Sequence, residues 1–590
     1  MKEDRIMENT RKDLKKRQII SFVLTIAIIV ILNVIGYFVF KRFDLTAEKR
    51  YTLSETSKDI LKNIDDYVYF KVYLEGDFPA GFKKLRRETK EMLDEFRAYS
   101  KFVDYEFINP NSANDEKERS DMYRMLYQSG LNPTELAVRN NDGSSSQMVI
   151  WPGALVSYHN DTELAIDLLE TQLSQSSEEA LNTSMQNLEF KLINAIKNVT
   201  RKQKPMLAFI EGHGELSEME VYDITQELSK NYIVKRVAID GKVDALMHRT
   251  EPDKNGDTKT FISYDAIVIA KPTQPFSEKD KFLIDQYIMH GGKALWLVEP
   301  VFATMDSLQN QESTMGIDQD LNLDDMLFKY GVRMNHNLLL DLNCAALPIR
   351  TGQVAGKAQL EFFRWFYFPL LQAASDNAIV RNVNPIKSDF VSSLDATSSM
   401  TGVNQIPLLK TSDYTKVSGV PAFITLAMLK QTPDKRMFPQ RGQNTAYLLK
   451  GTFPSLYANR IPAEIAESKE MQFRDESEPT AMIVVADGDI IRNQIDTKRR
   501  EPLPLGYDQY TGNTYGNKDF IMNAISYLID GEGIVNIRSR ELKIRLLDQA
   551  KTNQSRLKWQ LVNTIVPIAL IVLLGTTLAL IRKHRYTKKK

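Results

Sequence analysis

Met206-Leu207-Ala208-Phe209-Ile210-Glu211-Gly212-His213-Gly214-Glu215, which follows Pro205, reads as an apolar strand running into a tight polar turn. An unbroken apolar run leaves no side for water, so this strand belongs in a sheet covered on both faces. The chain downstream repeats the theme. Met219 to Ser229 is predicted as a helix and Tyr232 to Ala238 as a strand. Ala266 to Ala270 is a third strand beyond a polar loop through Asn255-Gly256, Glu278 to His290 a helix, and Ala294 to Val298 a fourth strand after Gly291-Gly292. Short apolar runs alternating with helices specify an α/β domain built on a parallel sheet. The pattern resumes at Ala481 to Ala486, a strand ending in Asp487-Gly488-Asp489, and at the helix Lys518 to Leu528.

Upstream lies a smaller αβ unit. Thr52-Leu53-Ser54-Glu55 caps a helix over Thr56 to Asn63, and Val68 to Leu74 is a strand. Lys83 to Tyr99 is an amphipathic helix and Val103 to Ile108 a second strand, an order that implies a parallel pair with a crossover. Ala154 to His159 and Thr162 to Leu168 alternate like a hairpin around Asn160-Asp161, and Glu178 to Thr200 reads as one long helix. Between Thr304 and Pro479 the pattern weakens. Asp306 to Asp325, Ser393 to Asn404 and Thr432 to Asn444 read as loops, Leu338 to Asp341 as a strand, and Phe362 to Phe368 as an aromatic run suited to a core or an interface.

Two uncharged apolar stretches bracket all of this, Ile19 to Phe40 and Leu561 to Ile581. As helices each reaches about 30 Å, the thickness of a bilayer's hydrocarbon core. The alternatives are a cleaved signal peptide and a buried core helix. Tyr37-Phe38-Val39-Phe40 offers no small-residue cleavage site, and Trp559 suits a membrane interface, so two transmembrane helices are expected. Lys2, Arg5, Arg11, Lys12, Lys15, Lys16 and Arg17 precede the first; Arg582, Lys583, Arg585 and Lys588 to Lys590 follow the second. Both basic tails are therefore expected in the cytoplasm and the bulk outside it, with Lys41 and Arg42 too few to reverse the orientation.

Lysine plus arginine equals aspartate plus glutamate at 76 each, so nothing favours a polyanion and nucleic acid is not an expected partner. Cys344 is the only cysteine, which excludes a disulfide-stapled scaffold.

Three polar turns follow strands of the parallel sheet, where such folds keep their ligand crevice: Glu211 to Glu215, Lys271 to Thr273, and Glu299-Pro300. Gly292-Lys293 lacks the first glycine and the hydroxyl residue of a phosphate loop, so the chain is not expected to hydrolyse ATP. No Gly-x-Ser-x-Gly elbow occurs, and Cys344 has no histidine closer in sequence than His336. The spacing of Glu211, His213 and Glu215 is not that of a helical zinc motif, and six scattered histidines make no cluster, so neither metal nor cofactor is expected. Two readings remain for the turn. Gly212 and Gly214 supply turn dihedrals while the carboxylates cap a helix, or Glu211, Gly212, His213, Gly214 and Glu215 line a ligand site, joined by Glu299, Asp487 and Asp489. Asp487-Gly488-Asp489 suits a turn as well as a cation.

Phe209 to Glu215, together with Lys49-Arg50-Tyr51-Thr52-Leu53-Ser54-Glu55-Thr56 and Asn517-Lys518-Asp519-Phe520, resembles the GldG family over nearly the whole chain. Its members are auxiliary, substrate-binding-type components of the gliding-motility ABC transporter of Bacteroidetes-type bacteria. The resemblance implies an α/β fold of two transmembrane helices flanking a large periplasmic region. In that region an amidotransferase-like parallel-sheet domain, similar also to a domain of intraflagellar transport proteins, follows the smaller αβ unit. It implies a non-catalytic subunit at the inner membrane, partnered by a permease and a separate cytoplasmic ATPase. Where enzymes of that fold keep a nucleophilic cysteine, Leu297-Val298-Glu299-Pro300 has none.

The expected organisation is a basic tail 1–18, a span 19–40, an αβ domain 41–200 and an auxiliary domain 201–532 with an insertion at about 304–479. A helical linker 533–560, a span 561–581 and a tail 582–590 complete it. The competing expectations are an envelope hydrolase or amidotransferase-like enzyme, and a structural tether for motility or secretion machinery.

Overall fold

The computed structural model describes residues 18–31, 33–34, 52–112, 115–139, 145–159, 163–170, 176–242, 244–249, 259–308, 311–354, 357–397, 402–430, 433–460, 472–496, 498–538 and 555–587. Nine strands follow one another across its principal sheet. They are β1 (Met206–Glu211), β2 (Ile233–Ala238), β3 (Ala266–Ala270), β4 (Ala294–Leu297), β5 (Cys344–Val354), β6 (Lys357–Ala373), β7 (Val403–Lys410), β8 (Asn444–Gly451) and β9 (Thr480–Val485). Their spatial order is β5-β6-β7-β8-β9-β4-β3-β1-β2, and Ile386–Lys387 pairs with β6 as a tenth strand.

From β9 to β2 every pairing is parallel. In chain sequence these five strands run 2-1-3-4-5, the order of a doubly wound sheet that reverses between β1 and β3. Residues at alternate positions enter two different cores. Leu207, Phe209, Val268, Leu295 and Ile483 pack under the helices Tyr222–Ser229 (α1) and Asn517–Asp530 (α3). Ala208, Ile210, Ile267, Ile269, Trp296 and Val484 pack under Glu278–Met289 (α2). Each fully buried large side chain contributes about 1.5–3 kcal/mol, and burial on both faces explains why β1, β3, β4 and β9 are continuous apolar runs, whereas the edge strand β2 carries Lys235 and Arg236 and is half exposed.

The segment that reads weakly in sequence extends this same sheet. β8 runs antiparallel to β9, β7 to β8, and β6 meets β7 only at Gln372 and Ala373, so β5 and β6 continue as a hairpin. The aromatic run is split where cover ends: Trp365 to Phe368 are buried on both faces of the strand, whereas Phe362 is exposed. Asp306 to Asp325, expected as loop, contains the strand Ser313–Asp318 and the start of the helix Asp324–Tyr330. The strand's short neighbour Val301–Phe302 is only two residues long, and its other partner, Ala422–Thr425, lies about a hundred residues on, while the helix packs with α2, so neither element shows in a local sequence reading.

A four-stranded sheet forms the smaller αβ part, in the order Val103–Phe107, Val68–Val72, Gly153–Tyr158, Leu164–Asp167. The first two are parallel, in register from Val68 opposite Val103 to Val72 opposite Phe107, with Ala80–Tyr99 as the crossover helix. Ser54 caps the helix Glu55–Lys62, accepting from Ser57 N, while Glu189 Oε1 accepts from both Ser54 N and Ser57 Oγ at 2.7 Å. The expected long helix is two, Ser177–Gln186 and Leu188–Thr200, broken at Asn187, whose side chain donates to Glu170. Lys197 and Arg201 then pair with Asp530 at the end of α3, joining this part to the principal sheet.

The chain divides into two units, Tyr51–Glu541 and the two ends, Met1–Arg50 with Leu542–Lys590. Among the described residues one helix is long and apolar enough to cross a membrane, Arg556–His584, with Pro567 inside it. Gln18–Ile31 is a shorter apolar helix. Residues 32 and 35–40 of the expected first span, Lys49 to Tyr51, most of Ile537 to Lys558, and residues 1–17 and 588–590 of the two basic tails lie outside the described residues.

Candidate functional site

The carboxyl ends of β1, β3, β4 and β9 lie side by side, and each delivers a polar turn. Beyond β1, Gly212 and Gly214 adopt φ of +122° and +73°. At Gly214 the left-handed φ also meets a close neighbour, because a Cβ there would stand 2.1 Å from Thr273 Oγ1. The turn thus lies directly on the one beyond β3, and Thr273 N and Gln274 N both donate to His213 O, at 2.8 and 2.9 Å. The chain itself fills the place where the strand order reverses.

His213 is the clasp of that arrangement. It is buried, stacked on Phe276 with ring centroids 3.7 Å apart, and both ring nitrogens have carboxylate partners at 3.2 Å: Nδ1 with Glu215 and Nε2 with Asp280. Burial disfavours the imidazolium, but hydrogen bonds and charge from Glu215 and Asp280 outweigh it, and the His213 pKa is raised. Asp280 also accepts from Ser277 Oγ and from Gly241 N, so one carboxylate ties the start of α2 to two loops. Glu211 faces elsewhere, paired with Arg236.

The turns beyond β3, β4 and β9 meet in a second network. Lys271, in a left-handed conformation at φ +54°, places its ammonium 3.1 Å from Glu299 Oε1 and 2.5 Å from Asp489 Oδ2. Gly488 N donates to Glu299, Asp489 N and Asp389 N to Asp487. Gly488 is required for closeness, since a Cβ there would lie 2.5 Å from Lys271 Cβ. Burial pushes Glu299 up, Lys271 pulls it down, Asp489 pushes it up again, and the result is a carboxyl raised to about 7. Burial and neighbouring carboxylates raise Asp487 well above the usual range, and burial raises Asp389 too. Glu299, Asp487 and Asp489 each bring a carboxylate oxygen within 4.8 Å of the others, a spacing one cation could bridge. The Lys271 ammonium already takes that bridging position between two of them.

Beside this network opens a cavity of about 330 Å³. Asp389, Asp489 and Arg492 face it from the network side, with Lys387, Tyr507 and Asp508 around it. Arg492 is held by Glu220 at 2.8 Å, and Lys387 lies 3.3 Å from Asp389 and over the Phe368 ring. Of the residues singled out in sequence, the structure brings Glu299, Asp487 and Asp489 together and places Asp489 in the cavity wall. Glu211, His213 and Glu215 lie on the adjoining turn and are not among the wall residues. Sequence reasoning passed over Asp389, Lys387, Arg492 and Asp280. For Asp280 a signal existed, the Ser277-x-x-Asp280 cap; for Asp389, far along the chain in the weakly patterned segment, there was none.

A doubly wound α/β body with a charged crevice at its strand ends, on a chain with a membrane-length helix, is the frame in which the comparisons with known proteins fall. The chain belongs to the family described as an ABC-type uncharacterized transport system, whose match, residues 204–524, takes in more than half of it. That makes it a transporter-associated auxiliary protein. A domain of unknown function, DUF7088, matches residues 47–157. An uncharacterized protein of Borreliella burgdorferi is 20% identical over 599 residues, covering 98% of this chain and 99% of that one. A solved structure described as the mmIFT52 N-terminal domain is 12% identical with a TM-score of 0.31, covering 55% of this chain and 98% of that one.

Proposed function

We propose that the chain is the non-catalytic, membrane-held subunit of an ABC transporter complex serving gliding motility. Its body lies in the periplasm, spans over 19–40 and 561–581 hold it at the inner membrane, and both basic tails are cytoplasmic. The crevice binds a ligand or partner and couples it to a permease, while a separate cytoplasmic ATPase supplies the energy. In this reading Glu211 to Glu215 form the rigid shoulder of the crevice, Asp389, Asp489 and Arg492 form its charged wall, and the buried Glu299 and Asp487 support that wall from behind.

One observation carries the non-catalytic part. The charges at the strand ends are spent on each other, with Lys271 bridging Glu299 and Asp489. The nucleophile that an amidotransferase-like enzyme needs is not supplied by Cys344, which lies on β5 at the far edge of the sheet with its thiol pushed up by burial to about 12. Polar groups around a cavity of about 330 Å³ suit recognition of a small polar ligand.

The test is to purify the intact protein from membranes with whatever accompanies it. An ATPase and a permease in the eluate are expected, and their absence rejects the reading. Alanine at Glu211, His213 and Glu215 together, in a protein still folded, is expected to impair assembly or gliding; unchanged assembly and gliding would remove that turn from the site.

A further inference from the structure

Val301–Phe302, Ser313–Asp318 and Ala422–Thr425 form a three-stranded antiparallel sheet that begins directly after Glu299-Pro300. Phe302 is opposite Ile317 and Met315 opposite Phe423. Opposed residues of a ladder share a face, and Met315 and Ile317 are two apart, so these four side chains stand together. The other face, through Val301, Ala422 and Ile424, is buried in a core with Leu338, Trp365 and Phe390. An antiparallel sheet with one face on a core normally turns polar residues to water. This one turns out Phe302, Met315, Ile317 and Phe423, exposed by 45, 45, 49 and 63%.

Size and charge narrow the occupant. Four large side chains about half exposed make a patch of roughly 400 Å², as large as the largest patches of typical monomers, which are often functional. It is about half the ~800 Å² per partner of a standard interface, so a second copy would be held too weakly by this face alone, whereas one helix or strand would cover it. Val301 to Asp325 carries Asp306, Glu312, Asp318, Asp320, Asp324 and Asp325 with neither lysine nor arginine. His336, between Asp318 and Asp324, and Lys281, 2.8 Å from Asp325, together answer part of that charge. An acidic border repels an anionic bilayer and attracts a basic protein segment.

We propose that this sheet face docks an amphipathic segment of a partner protein, apolar along one side and bordered by lysine or arginine. The surface is separate from the crevice and does not depend on what the crevice binds.

The test uses the full chain in nanodiscs of zwitterionic lipid, with empty nanodiscs subtracted, and fluorescence anisotropy of two 18-residue helical probes, one of leucine and lysine, one of leucine and glutamate. The lysine probe is expected to bind at least tenfold tighter than the glutamate probe. Met315→Thr with Phe423→Thr is expected to weaken it at least tenfold with an unchanged melting temperature. If that pair unfolds, Ile317→Lys is expected to weaken the lysine probe selectively. Equal binding by wild type and variants, or preference for the glutamate probe, overturns the proposal. So does patch-dependent dimerisation in sedimentation, or patch-dependent binding to anionic vesicles.

Discussion

Lys271 and Glu299, which follow different strands of the parallel sheet, meet with ammonium and carboxylate 3.1 Å apart in a site almost closed to solvent. Asp489, from a third strand end, completes the bridge. Two buried carboxylates on one ammonium are tolerable only while the cation is present, because an unpaired buried charge is far costlier than a paired one.

Lys271→Met is therefore expected to destabilise the body by about 3–5 kcal/mol, measured by chemical denaturation at pH 8. At pH 5 the loss should be smaller, since Glu299 can then take up a proton and shed its charge. A variant as stable as the wild type at pH 8 would show that the bridge contributes nothing.

The pH dependence has a definite sign. Glu299 has a folded pKa of about 7 against an ordinary value of 4.5, so the folded state holds its proton more tightly. That contribution is complete below about 4.5 and is lost as pH rises through about 7, at no more than about 1.4 kcal/mol per pH unit for one proton. Asp487 and Asp389, also raised, act in the same direction. Stability is expected to fall from pH 5 to 8 and to fall less steeply in Glu299→Gln; an identical slope in the variant would rule Glu299 out as its source.

His213 and Asp280 should couple. With His213 replaced by alanine, Glu215 and Asp280 lose their shared partner; with Asp280 replaced, the imidazolium keeps one. A double-mutant cycle is expected to give an interaction of about 0.5–3 kcal/mol. Additive effects would mean that the 3.2 Å contact holds nothing. The raised His213 pKa adds stability that is fully present below its ordinary 6.5 and is lost as pH climbs through the folded value.

Asp285 on α2 is fully buried and accepts from Ser455 Oγ, Leu456 N and Tyr330 OH at 2.7, 2.8 and 2.9 Å. Asp285→Ala leaves these donors without an acceptor, and a loss of at least about 2 kcal/mol is expected, with faster proteolytic nicking between 304 and 479. Asp285→Asn keeps one acceptor oxygen and should lose less. Equal nicking of wild type and Asp285→Ala would separate this carboxylate from the packing of that segment.

The amino-acid order by itself determined the parallel half of the body, because strands buried on both faces, as β1, β3, β4 and β9 are, must be apolar throughout. Met206 to Ile210, Ala266 to Ala270 and Ala294 to Val298 carry that mark without help from distant residues. It also determined that Glu211 to Glu215, Lys271 to Thr273 and Glu299-Pro300 would be turns at strand ends. Tertiary structure alone decided what those turns do. Lys271 finds Glu299 because β3 and β4 are neighbours, and Asp489 because β9 returns beside β4 after an excursion of almost two hundred residues. Asp389 reaches Asp487, and Asp280 reaches His213, by the same kind of long-range closure. Pairings of this sort leave no period in a sequence: a carboxylate's partner is chosen by distance in space and by what burial forbids, and neither quantity exists until the sheet has formed.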